Sequence, residues 1–330
     1  MPNATLVLPR PGTAAKPGDE PQSIPAPSEE AFVATFGNLL PQASYLRTCH
    51  GRAAYYIFPA TAGQPTTSSE TPPTPRVLLI HGVQTPALGM QPLARELSTR
   101  FPHAQIVLVD LWGHGLSDTP LAPHDPPLFH ALVEALLHEL GWADAHFVGY
   151  SFGASTVASL AAARPELVAS MVIIAPAGLI RSGNFSEVQR GYLRGGEGVE
   201  EQARAWILDW LEGGELVVPK DWKERVGRGE VVAKAVKDWE LREHEGHAAS
   251  VVAIFRDGGA LDRHAEFAKA ARTGIKHLCI MGEKDDVSSA EELQGLGLRN
   301  VEVVPDVGHA VVRERVQEVA QLIEEFWNRL

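Results

Sequence analysis

Apolar residues in this chain fall into two alternating patterns. Short, nearly unbroken runs occupy residues 77–80, 106–109, 145–148, 171–174, 277–281 and 301–304. Between them lie stretches with helical spacing. One is residues 86–100. A second carries Phe129, Leu132, Val133, Leu136, Leu137 and Leu140 on one stripe and is closed by Gly141. A third is the Ala-rich stretch 154–163, a fourth the short stretch 290–296, and the last aligns Val312, Val316, Val319, Ile323, Phe326 and Leu330. Runs without polar alternation predict strands covered on both faces, and the amphipathic stretches supply the covers. The fold class is therefore α/β: a mostly parallel, twisted central sheet with helices on both faces. Upstream, residues 30–40 have the makings of a short helix. Residues 44–58 read as a hairpin turning at Cys49-His50-Gly51-Arg52.

One section breaks the rhythm. Residues 180–262 contain no clear buried strand, only charged helices such as those aligning Val199, Ala203, Trp206, Ile207 and Trp210, or Val232, Val236 and Trp239. A crossover of this length is far longer than a parallel sheet needs. It reads as an inserted helical lid over the carboxyl edge of the sheet, with most of its tryptophans packed inward. The remainder, 31–179 and 263–330, forms the core. The Pro-rich residues 1–30 are expected to be a flexible tail, and the Pro/Thr/Ser-rich residues 59–75 a surface loop.

Charge narrows the partners. The formal net charge is −12 at pH 7, which disfavours nucleic acid and anionic membrane surfaces, since both require a basic face. Of the two cysteines, Cys279 sits in an apolar run and reads as a buried small hydrophobe, with Cys49 far from it in sequence. No metal-ligand spacing involves either, and no secretory signal or membrane-length run is seen. A soluble cytoplasmic protein without metal or cofactor is expected. His244-Glu245-Gly246-His247 falls one residue short of the H-E-x-x-H zinc spacing and is read as solvated lid histidines.

The chemistry is announced at Gly149-Tyr150-Ser151-Phe152-Gly153. A G-x-S-x-G pentapeptide between a strand and a small-residue helix is the context of a nucleophile elbow. The sharp turn projects the Ser151 hydroxyl, and a Cβ at either glycine would strike the neighbouring strand or helix. Serine needs a base, and the base a carboxylate that fixes its tautomer. Strand 277–281 is followed by Gly282-Glu283-Lys284-Asp285-Asp286, and strand 301–304 by Pro305-Asp306-Val307-Gly308-His309. Asp285, with Asp286 as the competing neighbour, and His309 thus lie at strand ends in the chain order Ser, Asp, His. The oxyanion donors are expected to be the backbone N–H groups of Val83 and Phe152, with His81 buttressing its loop rather than acting as a base.

These motifs resemble the α/β-hydrolase superfamily, in its lid-bearing branch. The matching residues are His81-Gly82, the loop Asp110-Leu111-Trp112-Gly113-His114-Gly115-Leu116-Ser117-Asp118, the elbow, Gly282 to Asp285, and Gly308-His309. The resemblance implies Ser151 as nucleophile, His309 as general base and acid, and Asp285 as orienting acid, with structural roles for Asp110 and His114. Ala175-Pro176-Ala177-Gly178 leaves no carboxylate directly after strand 171–174, where some relatives carry their acid. A serine at the elbow argues against epoxide opening and halide displacement. Three functions fit: a serine hydrolase of a carboxylic ester, thioester or lactone; a carbon–carbon bond hydrolase of a diketone-like substrate; and a ligand-binding or receptor-like protein with a slow triad. The expected partner is a small apolar molecule, and the oligomeric state is left open.

Overall fold

A computed structural model describes residues 5–13, 22–58, 60 and 75–330. Most of the loop expected at 59–75 lies outside the described residues. The central sheet has eight strands. In chain order they are β2 (Ser44–Thr48), β3 (Gly51–Phe58), β4 (Arg76–Ile80), β5 (Gln105–Val109), β7 (Ala145–Tyr150), β8 (Val168–Ile174), β9 (His277–Gly282) and β10 (Val301–Val304). The short strands β1 (Ser23–Ile24) and β6 (Thr119–Pro120) pair separately. Across the large sheet the order is β10-β9-β8-β7-β4-β5-β3-β2. The six strands from β10 to β5 are parallel, and the hairpin β2–β3 joins antiparallel at the β5 edge.

Apart from the edge strand β10, where Glu302 and Val303 are exposed, the parallel strands send alternate residues to opposite cores, which is why their runs lack polar alternation. Val77 and Leu79 of β4, Ile106 and Leu108 of β5, and Val172 and Ile174 of β8 join one cluster. That cluster also holds α1 (Glu29–Phe36), α2 (Gln91–Arg100) and α13 (Val316–Trp327). Leu78 and Ile80, Val107 and Val109, Met171 and Ile173 join the other. There they meet α3 (Pro126–Glu139), α4 (Phe152–Ala163) and α10 (His264–Arg272). Cys279 is buried in this second cluster as a free thiol. The final apolar stripe is split: α12 (Val311–Glu314) ends before α13 begins, and Leu330 is exposed rather than packed.

The chain leaves β4 for β5 on one side and then crosses to β7 on the other side of β4. Connections that diverge at the carboxyl end of adjacent strands open a crevice there, where α/β sheets bind ligands. Between β8 and β9 run α5 (Glu187–Arg194), α6 (Glu200–Glu212), α7 (Trp222–Gly227), α8 (Ala233–Glu243) and α9 (His247–Ala253). After α9, residues Ile254–Gly258 widen into a π turn. Phe185, Ile207, Val251, Val252 and Phe255 form a core of this section's own, with Trp206 and Trp210 against it. Trp239 instead packs edge-on to Phe32 at 5.3 Å, inside the main core.

The described parts of the N-terminal segment correct the expectation of a flexible tail. Leu8 is buried against Ala249 and Ala253. The Arg10 guanidinium donates to both oxygens of Asp257 and to the carbonyls of Leu193 and Arg194. Further along, β1 pairs with β6, and the Ala26 amide donates to Asp118 Oδ1 at 3.0 Å. Composition alone reads these residues as disordered, because their order comes from partners far away in sequence, 92 residues in the case of Ala26 and Asp118 and 247 for Arg10 and Asp257.

Candidate active site

Ser151 sits between β7 and α4 with φ 54° and ψ −114°, a conformation that non-glycine residues rarely adopt and that neighbouring packing must enforce. The enforcement is visible. A Cβ on Gly149 would lie 2.5 Å from the Gly153 carbonyl oxygen, and one on Gly153 would lie 2.1 Å from that of Ile80. The turn is therefore wedged against β4 and its own helix. Every residue of α4 from Phe152 to Ala162 is buried, which explains the small side chains.

The structure brings Ser151, His309 and Asp285 together. The Ser151 hydroxyl lies 2.9 Å from His309 Nε2. On the other side of the ring, Nδ1 is 3.2 Å from both carboxylate oxygens of Asp285. The carboxylate is fully buried while the imidazole is 29% exposed, so Asp285 is sealed in while the His309 ring lines the crevice. The Val287 amide donates to Asp285 Oδ1 at 3.0 Å and fixes the carboxylate plane. A Cβ on Gly282 would lie 2.4 Å from the Gly308 carbonyl oxygen, so the turns carrying acid and base touch backbone to backbone. Asp286 is exposed and lines the crevice. Tyr150, which sequence reasoning passed over, donates its hydroxyl to the His309 carbonyl at 3.1 Å. It thereby ties the loop of the base to the strand of the serine.

Val83 and Phe152 both line the cavity beside Ser151. Phe152 opens α4, where a helix has no preceding carbonyl to take its N–H. The loop of Val83 is held from below by two histidines. His81 donates from Nδ1 to the Gly82 carbonyl and accepts the Leu111 amide at Nε2. His114 donates to the Trp112 carbonyl and accepts the Gln84 amide. Asp110 accepts the amides of Ala87 and Leu116 and the Tyr56 hydroxyl. These groups are structural ties.

The structure corrects the reading of His244 and His247 as solvated. Both are buried and bonded to backbone carbonyls of the Asp110 loop, those of Ser117 and Gly113. Glu240 of α8 is fully buried beside them and accepts the Gly115 amide at 2.9 Å. Among the described residues, no group of three or more His, Cys, Asp or Glu side chains is arranged to hold a metal ion.

Burial keeps these imidazoles neutral. It pushes His81 down to about 4, His124 to about 4 and His247 to about 3, and places His114 well below its ordinary value of 6.5. The unfolded chain takes up protons near 6.5, so their contribution is complete above that value and is lost as pH falls toward 4. Two buried carboxyls act oppositely: Asp110 is raised to about 6 and Glu240 well above 4.5, each mainly by burial. The histidines outnumber them. The urea midpoint is therefore expected to fall between pH 7 and pH 5; a rising midpoint contradicts neutral imidazoles in the fold.

The crevice is a cavity of about 410 Å³, within the usual range for small-molecule sites. Ile180, Trp210, Phe255 and Ala260 make one wall, and Ser151 and His309 lie at its base. The lining is also polar in part, through Gln84, Thr85, Glu212, Lys237 and Arg313. The expectation of a small apolar partner takes no account of these polar side chains. One clue stood in the sequence, since Arg313 follows His309 by a single helical turn.

The pattern defining the alpha/beta hydrolase family matches residues 77–322, three-quarters of the chain, and includes Val83, Ser151, Phe152, Asp285 and His309. The chain belongs to that family. It is 35% identical over 100 residues to the 2-(acetamidomethylene)succinate hydrolase of Mesorhizobium japonicum, covering 30% of this chain and 35% of that one. It is 37% identical over 113 residues to Lipase LipV of Mycobacterium tuberculosis, covering 34% and 41%. The match therefore spans only about a third to two fifths of those relatives' length. Among solved structures, the enol-lactonase of Burkholderia xenovorans superposes with a TM-score of 0.61 at 20% identity, over 86% of this chain and 100% of the other. That likeness bears on the fold. No helix among the described residues of this family member is long and apolar enough to cross a membrane.

Proposed function

We propose that this protein is a serine hydrolase that cleaves a carboxylic ester, thioester or lactone through an acyl-enzyme on Ser151. The observation that carries the reading is His309 standing between Asp285 and Ser151, 2.9 Å from the hydroxyl. His309 Nε2 takes the Ser151 proton as the oxygen attacks the substrate carbonyl. The resulting oxyanion is held by the amides of Val83 and Phe152. His309 then returns the proton to the leaving group. A water deprotonated by the same nitrogen releases the acid and restores the serine. Asp285 keeps the Nδ1 proton in place and stabilises the imidazolium. Helices α5–α9 with the π turn act as a lid, supplying Trp210 and Phe255 to a cavity wall and limiting water around the acyl-enzyme. Relatives named as a lipase and a succinate-derivative hydrolase, and a neighbour named as an enol-lactonase, are in keeping with carbonyl chemistry of this kind.

A fluorophosphonate probe tests the reading. Labelling is expected on the peptide holding Ser151, with burst kinetics on nitrophenyl esters of varied acyl length. Labelling elsewhere removes the nucleophile. Fast labelling with negligible turnover across all acyl lengths points instead to a slow binder or a carbon–carbon hydrolase.

A further inference from the structure

The polar lining of the cavity holds a cation with no carboxylate partner among the described residues. Lys237 is matched: its ammonium lies 2.5 Å from Glu212 Oε2, with both side chains largely buried. Arg313 is not. Its guanidinium sits 5.2 Å from the centre of the Tyr150 ring, and Nη2 reaches the Tyr150 hydroxyl at a long 3.4 Å. Nη1 is buried with no hydrogen-bond partner among the described residues. A guanidinium carries five N–H donors in a rigid fork. Leaving the N–H groups of a buried Nη1 unused is costly unless an acceptor arrives.

The position is defined from two sides. Arg313 belongs to α12, whose Val311 and Val312 are buried anchors, and the preceding turn carries His309. The ring it covers is Tyr150, the neighbour of Ser151. An anion against Arg313 therefore lies in the same cavity as Ser151 and His309. Lys237 is offset by Glu212, which leaves Arg313 as the cation of this lining with no carboxylate in ion-pair contact among the described residues. That matches a monoanion, and a planar fork matches a carboxylate. Asp286, the other acidic group of the cavity, is exposed and lines it together with Val287 of the acid turn. With a net charge of −12, the protein as a whole repels anions, so any preference for one must be local.

We infer that Arg313 is the specificity-determining residue of a carboxylate subsite, and that the preferred substrates are esters, thioesters or lactones carrying a second, ionised carboxyl group. This rests on the serine-hydrolase reading above. One end of the substrate lies along Trp210 and Phe255, its carbonyl at Ser151, and its carboxylate on the guanidinium. Arg313 binds and orients, and takes no part in proton transfer.

A matched pair of esters tests it: 4-nitrophenyl hemiglutarate and 4-nitrophenyl valerate, alike in acyl length and differing by one terminal carboxylate. The wild-type protein is expected to favour the anionic ester in kcat/KM by about 10- to 100-fold, the range of one charged hydrogen bond. The preference should reside mainly in KM and persist in 0.5 M NaCl, as expected inside a cavity. Arg313→Gln should collapse it, and Arg313→Lys should retain part of it. Thermal unfolding of both variants checks that the fold survives, and the wild-type comparison stands if one does not. Equal or reversed preference in the wild type, or an Arg313→Gln variant that keeps the preference, overturns the inference. Protection of Ser151 from fluorophosphonate by monoethyl glutarate, set against ethyl valerate, gives the same reading without turnover. If the serine does not label at all, the failure lies in the serine-hydrolase reading; labelling with no charge preference removes the subsite alone.

Discussion

Asp285→Asn is expected to lower kcat on an activated ester by roughly 10⁴-fold, while Asp286→Asn changes it little. The first substitution preserves shape and inverts chemistry. An amide at this position offers a donor where the imidazole also donates, so Nδ1–H is no longer favoured and the ring turns over to the tautomer that cannot accept from Ser151. Burial sharpens the effect: the Asp285 carboxylate is fully enclosed, so water cannot stand in for the lost acceptor. Its neighbour faces the cavity and has no recorded bond to the base. Pre-steady-state ester kinetics and the rate of fluorophosphonate labelling should fall together for Asp285→Asn. A severe loss in Asp286→Asn with little in Asp285→Asn would reassign the acid.

The second large effect falls on stability. Gly153→Ala is expected to cost about 3 kcal/mol or more, or to prevent soluble expression. The added carbon would stand 2.1 Å from the Ile80 carbonyl oxygen and 2.6 Å from that of His81. Both are backbone atoms where β4 ends, and neither can swing aside as a flexible side chain would. Relief requires α4 to lift off β4, which opens the packing around Phe152 and Val157. Gly227→Ala is the control. It ends α7 with nothing within 4 Å of the new carbon, so it should be neutral or slightly stabilising. Urea midpoints of the two variants decide the matter; a near-native Gly153→Ala protein would mean that the elbow is looser than its geometry states.

Where the chain could be read in advance, the signal was local. A strand that meets a helix through Gly149 and Gly153 announces itself within five residues. So does a loop such as Gly308-His309 that follows an apolar run. Parallel strands were legible because both faces of β4, β5 and β8 are covered, leaving no polar alternation. What escaped depends on distant partners. His244 looks like a surface histidine until its Nε2 meets the Ser117 carbonyl, 127 residues away. Glu240 is charged by type and buried by circumstance, held by the Gly115 amide. Leu8 and Arg10 sit in a Pro-rich stretch that no periodicity distinguishes. The break between α12 and α13 falls at Arg315, whose φ of −129° interrupts a stripe that the spacing of valines reads as continuous. Arg313 gains its meaning only from the lining it joins.

The grip of Arg10 on Asp257 has a practical corollary. Asp257 lies two residues beyond Phe255, within the same π turn, so the leading segment acts as a guy-rope on one side of the substrate chamber. Fusion partners or purification handles joined ahead of residue 5 would load that rope, and trimming through residue 13 would cut it.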